Sequence, residues 1–413
     1  MVVAMDWNRR TFLKRALAVP AGHWLARYEA LAAPALGRVK ITDLKAVLLR
    51  GHYNSIVKIE TDAGLAGYGE AGMNGEMTRA WLKIFKPFLV GDDPLQVARH
   101  FQKLTSQVHP YQASIPAVSG VDIALWDLAG KITGLPVSTL LGGSFRDRIR
   151  LYINGAPRDM LDLASCRQWA QALRQERFGW NAVKINAMHP LGRQGGPWEP
   201  VPKLTSTDVS KVGKAFANAR EALGPDMDIM AHLHNELDLP SAIAVARAVE
   251  PARPLWLEDP LQVQYSESWR TLRRSISVPL LTGEKLEAPR QFLPFLENQA
   301  VDMVHIDLAF LGGLTVGRRV ADLAALHRVP IVCHNIGTLA LLMASAHYGA
   351  SVFNFVASEN VLGSGYGVER QSKTHPPVVK DGYLEVPNRP GIGAEFDESF
   401  LRANLAPGEP WWG

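Results

Sequence analysis

The chain has 413 residues, 47% hydrophobic and 20% charged, an ordinary globular composition that permits a large core. Its net charge of +4 sits mostly in residues 1–37, where Arg9, Arg10, Lys14, Arg15 and Arg27 face only Asp6 and Glu29. The remainder is nearly neutral, which argues against a nucleic-acid partner, and two cysteines, Cys166 and Cys333, exclude a disulfide framework and a cysteine zinc site.

The first segment, 1–37, reads as an address. Asn8-Arg9-Arg10-Thr11-Phe12-Leu13-Lys14 resembles a bacterial twin-arginine export signal, and small residues at 30–35 offer a cleavage site. The expected location is periplasmic, with a cytoplasmic leader helix as the alternative. No later run has the roughly 20 apolar residues that span a bilayer, so no membrane partner is expected after processing.

Residues 38–148 read as a small α+β domain. Ile41 to Leu49, Ser55 to Thr61 and Leu65 to Glu70 have strand patterns, and Asp62-Ala63-Gly64 marks a turn. Val121, Leu125, Leu128 and Ile132 then form one stripe of a helix that Gly134 and Pro136 terminate.

From about 149 to 362 strands and helices alternate. Short apolar runs end on His232, Glu258, Glu284, Asp307, His334 and Glu359, at steps of 26, 26, 23, 27 and 25 residues. That interval fits one strand, one helix and two loops. A (β/α) barrel carries side chains from the carboxyl ends of its strands around one mouth, so these residues are expected to converge there. Any one of the acids alone could merely cap the next helix; the shared register is what argues for a site. Within the barrel, 188–203 reads as a lid or plain loop carrying His189 and Trp198. Residues 363–413 are turn-rich, with one strand at Gly382 to Val386, and are expected to return to the N-terminal domain.

The chemistry of these residues is coherent. Glu258, Glu284 and His232 would end three consecutive strands. Neighbouring carboxylates repel unless one is protonated or a cation lies between them, and a divalent ion takes oxygen ligands readily. Asp307 beside His334 would orient the imidazole and raise its basicity, as a general base requires. His234 leaves its strand on the same face as His232 and could act as an acid; Lys184 and Asn186 share a face in the same way. Lys184 offers a cation to a substrate carboxylate, and Glu359 a hydrogen-bonding group opposite. Together these are the parts for removing a proton next to a carboxylate, losing a β-hydroxyl and forming a 2-keto acid.

Gly120 to Asp127, Gly130-Lys131, Leu140 to Gly143, Leu257-Glu258-Asp259-Pro260, Thr282-Gly283-Glu284, Ile306-Asp307, Gly312-Gly313 and Pro390 to Gly393 occur in one order. In that order the chain resembles the enolase superfamily, mandelate racemase subgroup, over nearly all of 40–400. The resemblance implies a (β/α)7β TIM-like barrel under an α+β capping domain that the C-terminal tail completes. It also implies a divalent metal, Mg²⁺ in the family, a small-molecule acid as substrate and a homo-oligomer.

Racemases of the subgroup carry Lys-x-Lys on the second strand, where this chain has Lys184-Ile185-Asn186. Asn186 with His234 is similar to the galactonate and mannonate dehydratases, so a sugar-acid dehydratase is expected. The alternatives are a racemase or epimerase and a catalytically silent binding barrel. The family's first metal ligand is Asp, replaced here by His232, which would shift preference towards Mn²⁺, Fe²⁺ or Zn²⁺ or weaken the site.

Overall fold

A computed structural model describes residues 37–107, 111–192, 203–363 and 367–412. The basic leader and Trp198 lie outside the described residues. Strands β1 (Ile41–Leu48), β2 (Ser55–Thr61) and β3 (Ala66–Ala71) form an antiparallel sheet in the order β1-β2-β3. Helices α1 (Gly75–Leu89), α2 (Val97–Gln107) and α3 (Tyr111–Thr133) follow, then the short α4 (Val137–Leu140). Helix α3 lies directly on β3: a Cβ at Gly69 would come within 2.1 Å of the Gly120 carbonyl oxygen, so only glycine permits that approach.

The barrel strands are β4 (Arg148–Asn154), β5 (Ala182–Asn186), β6 (Asp228–His232), β7 (Leu257–Glu258), β8 (Leu280–Thr282), β9 (Met303–Ile306), β10 (Ile331–Cys333) and β11 (Phe355–Asn360). Each pairs in parallel with the next, and β11 pairs with β4 through Ser358↔Leu151 and Glu359↔Tyr152, closing the ring. The intervening helices are α5 (Leu163–Gln175), α6 (Ser206–Leu223), α7 (Leu239–Val249), α8 (Glu267–Ser275), α9 (Ala288–Glu297), α10 (Gly313–Leu326) and α11 (Leu339–Ser351). This is the expected (β/α)7β arrangement. Inside the ring Tyr152, Ala182, Met230, Trp256, Leu281, Met303, Val332 and Ala357 form a separate buried cluster, a packed floor rather than a pore.

Alternation along a strand puts the residue two positions further on the same face. Above that floor therefore stand Lys184, His232, Glu258, His305, His334 and Glu359. On β8 the corresponding position is Gly283, at φ 132°, where a Cβ would lie 2.5 Å from the His305 carbonyl oxygen; the chain turns there and Glu284 follows.

The N-terminal unit docks on the barrel through α3. Asp122 Oδ2 accepts the Thr315 backbone N–H at 2.9 Å, Ser119 Oγ accepts that of Gly312 at 2.9 Å, and Trp126 Nε1 donates to Thr315 Oγ1 at 3.0 Å. An acid at the first turn of α10 is favoured by the helix dipole as well as by the hydrogen bond. After the barrel, β13 (Tyr383–Glu385) pairs antiparallel with β4 and β12 (Val379–Lys380) antiparallel with β13, and α12 (Glu398–Ala403) follows. The tail returns to the first sheet, where Phe396 stacks on Tyr68 with ring centroids 4.6 Å apart and the Asn404 carbonyl accepts Arg50 N at 2.8 Å. Among the described residues no helix is long and apolar enough to cross a membrane.

Candidate active site at the barrel mouth

Lys184 is the centre of the site. Its Nζ lies 2.8 Å from Glu258 Oε1 and 3.0 Å from Glu359 Oε2, with all three side chains buried. Burial alone would lower the lysine pKa, but Glu258, Glu359 and Glu284 hold the ammonium well above its ordinary value, so it stays charged. Trp256 Nε1 reaches Glu258 Oε2 at 3.1 Å from the floor below.

Asp307 and His334 form the expected dyad, with His334 Nδ1 2.6 Å from Asp307 Oδ2. The other Asp307 oxygen accepts Ala309 N at 2.7 Å, which keeps the carboxylate in place. His334 Nε2 points into the site, 3.4 Å from Glu284 Oε2 and 3.5 Å from Glu359 Oε2. Burial would lower the His334 pKa, yet Glu284, Glu359 and Asp307 outweigh it and push the pKa up to about 10. With these acids alone around it the imidazole is protonated; further positive charge among the carboxylates would bring it down towards the range of a base.

Glu258, Glu284 and His305 each offer a ligand atom within 4.8 Å of the others. The third member of the group differs from the expectation. His232, proposed from spacing, is not in it; its ring lies edge-on to His234 with centroids 4.9 Å apart, and its buried Nε2 has no hydrogen-bond partner among the described residues. Burial, then Lys184 and His234, hold His232 neutral by lowering its pKa. Burial would raise the Glu284 pKa, but His334, Lys184, His305 and Lys285 keep it ionised. Two carboxylates and a buried imidazole with an unpartnered nitrogen suit a divalent ion.

The remaining expected residues are placed as follows. His234 is held by burial and by Lys285 and Lys184 below its ordinary pKa, against the pull of Glu284 and Glu258. Asn186 Oδ1 accepts the Met188 N–H at 2.7 Å, so its oxygen is engaged in the turn after β5. His189 Nε2 contacts the Pro157 carbonyl at 3.0 Å, and Lys285, next to Glu284, donates from Nζ to Asn235 Oδ1 at 2.6 Å.

Sequence reasoning missed His305, Tyr152 and Glu70. His305 was hidden inside an apolar run, although it is two residues before Asp307 and shares its face. Glu70 is the last residue but one of β3 and is buried against the loop after β10, accepting Thr338 N, Thr338 Oγ1, Leu341 N and Asn54 Nδ2. A cavity of about 370 Å³ opens beside Glu359, walled by Tyr53 from the β1–β2 loop and by Asn154, Ile336 and Asn360 from the barrel.

A closed parallel barrel with this ring of acids, a lysine and an Asp–His pair defines a class of enzyme. Residues 166–400 match the enolase C-terminal domain-like family, and residues 51–142 match the mandelate racemase / muconate lactonizing enzyme N-terminal domain. The chain belongs to the enolase superfamily, in its mandelate racemase / muconate lactonizing enzyme branch. It is 30% identical to a D-xylonate dehydratase of Haloferax volcanii over 90% of either chain. It is 29% identical to a D-mannonate dehydratase of a Sphingomonas species, over 87% of this chain and 93% of that one. A mandelate racemase/muconate lactonizing enzyme-like protein of Rubrobacter xylanophilus has the same fold, with TM-score 0.82, 29% identity, and 91% and 99% of the two chains covered.

Proposed function

We propose that this protein is a divalent-metal-dependent dehydratase of sugar acids. The observation that carries the reading is the single Asp307–His334 pair facing Lys184 across the ring, with Asn186 rather than a second lysine two residues on. A base on one side only suits elimination better than racemisation. The dehydratase names of the relatives, for sugar acids of related form, support the same reading.

Glu258, Glu284 and a histidine would hold the metal, which supplies positive charge for the substrate carboxylate. Lys184 adds a fixed ammonium on the same side. Nε2 of His334 takes the proton from the carbon next to the carboxylate, and Asp307 stabilises the imidazolium that results. The electron pair left on that carbon is drawn towards the carboxylate and Lys184, then expels the β-hydroxyl. His234 gives that hydroxyl a proton, so water leaves, and the enol product tautomerises to a 2-keto-3-deoxy acid. Tyr53, Asn154 and Asn360 line the space for the hydroxylated remainder of the substrate.

Three finer points belong to the same proposal. The metal is Mg²⁺ by family and Mn²⁺, Fe²⁺ or Zn²⁺ by donor chemistry; residues 1–37 direct export; the chain assembles with copies of itself. N-terminal sequencing of the exported protein starting at Met1 would sink the second, and a monomer in light scattering the third. The function is tested with a library of aldonic and uronic acids, assayed for 2-keto acid with each metal. Deuterium at the α-carbon of both stereoisomers of a recovered acid, with no 2-keto acid formed, would favour an epimerase instead.

A further inference from the structure

We propose that His305 supplies the nitrogen ligand of the divalent ion through Nδ1, its tautomer set by Tyr152 and the Cys333 carbonyl, and that His232 is not a ligand. The inference rests on the metal-dependent reading above and concerns which side chain completes the site.

His305 is fully buried on β9 and points inward. Its Nε2 is 3.1 Å from the Tyr152 hydroxyl, and that hydroxyl donates to the Cys333 carbonyl oxygen at 3.3 Å. A phenol has one proton to give. When that proton goes to Cys333, the tyrosine oxygen accepts from His305 and the proton of the neutral ring sits on Nε2, the tautomer that metal binding through Nδ1 selects. Nδ1 is then a bare lone pair. It lies 3.8 Å from Glu258 Oε1 and 3.9 Å from Glu284 Oε2, with no hydrogen-bond partner among the described residues.

A lone pair and two carboxylate oxygens facing one another, away from water, repel unless a cation stands among them. Lys184 Nζ meets the same Glu258 Oε1, and His334 Nε2 lies 3.4 Å from the same Glu284 Oε2, but among the described residues His305 Nδ1 itself has no partner. The arrangement also has the outer support that metal-binding histidines usually show: the second ring nitrogen donates to a fixed acceptor, which orients the ring and sharpens its basicity. His232 also has an unpartnered buried Nε2, but it is not among the three residues whose ligand atoms lie within 4.8 Å of one another, and its ring is packed edge-on against His234. Three protein ligands leave open positions for a substrate carboxylate, and one imidazole among them favours Zn²⁺, Mn²⁺ or Fe²⁺ over Mg²⁺.

The test uses the purified full-length protein, stripped of metal and titrated with Zn²⁺, Mn²⁺ and Mg²⁺ by calorimetry, with X-ray absorption spectra of the Zn²⁺ form. The wild type is expected to take one Zn²⁺ with one imidazole nitrogen in its shell. His232→Asn should keep that imidazole and most of the affinity. His305→Asn should lose it, and Tyr152→Phe should weaken binding about 10–100-fold. Because His305 is fully buried its variant could fail to fold; the wild-type and His232→Asn spectra carry the test without it. An oxygen-only or two-imidazole shell, or loss of the imidazole in His232→Asn, overturns this inference while leaving metal dependence intact. A wild type that binds no divalent ion overturns metal dependence itself, and this inference with it.

Discussion

His334 Nδ1 and Asp307 Oδ2 lie 2.6 Å apart, joining the ends of adjacent barrel strands. Replacing His334 by Asn should reduce kcat by about 10²–10⁴-fold, the usual worth of a positioned base. Asp307→Asn should cost less but shift the pH profile. Asp307 is one of the acids that raise the His334 pKa, so its loss should move the acid limb of kcat/KM to lower pH. Turnover undiminished in His334→Asn would reject the assigned base.

Lys184→Met would leave Glu258 and Glu359 buried without their shared ammonium. Breaking a buried pair by removing one partner costs about 3–5 kcal/mol. The deficit is read by urea unfolding of Lys184→Met beside the wild type; equal stability of the two would mean that the ammonium's contacts with these acids contribute nothing.

His234→Asn separates the two halves of the reaction. Exchange of the α-proton with deuterated solvent should continue, because His334 remains, whereas 2-keto acid formation should fall about 100-fold or more. In the wild type the ratio of elimination to exchange should fall as pH rises, since His234 has a lowered pKa and loses its proton early. Equal losses of both activities would remove His234 from the role of acid.

Glu70 gives a stability prediction away from the chemistry. Burial raises its pKa from 4.5 to about 7, against the hydrogen bonds from Thr338 and Asn54 that lower it. The folded state therefore holds this proton at pH values where the unfolded chain has released it. Stability from this group is complete below pH 4.5 and declines as pH rises towards 7, by about 3 kcal/mol in all. Melting curves of Glu70→Gln should show a shallower fall across that window than the wild type. Parallel curves would contradict a raised Glu70 pKa.

Tyr53 is 74% exposed and reaches the cavity beside Glu359 from the β1–β2 loop. Tyr53→Ala is expected to raise KM several-fold with little change in kcat, the sign of lost ground-state binding. A fall in kcat at unchanged KM would mean that this loop acts on the chemical step instead.

Much of the site could be read along the chain because a parallel barrel repeats. The narrow range of spacing between Glu258, Glu284, Asp307, His334 and Glu359 is itself the evidence for a common mouth, since each repeat spends about the same length on strand and helix. Charge at the end of an apolar run is likewise a local property, and so is the twin-carboxylate need for a cation. Distances between side chains are not local. His305 stood within an apolar run, and its role emerged only when β9 was set beside β8 and β10, bringing Nδ1 towards Glu258 and Glu284. Glu70 and Thr338 meet across 268 positions, a pairing that no periodicity announces. Register places Asn186 on the face of Lys184, but only the folded turn after β5 shows that its oxygen accepts the Met188 N–H. Sequence determined the fold class and the ring of acids because both follow from period and residue type. Which nitrogen faces which carboxylate was decided by tertiary packing, since a ring orientation depends on neighbours contributed by other strands.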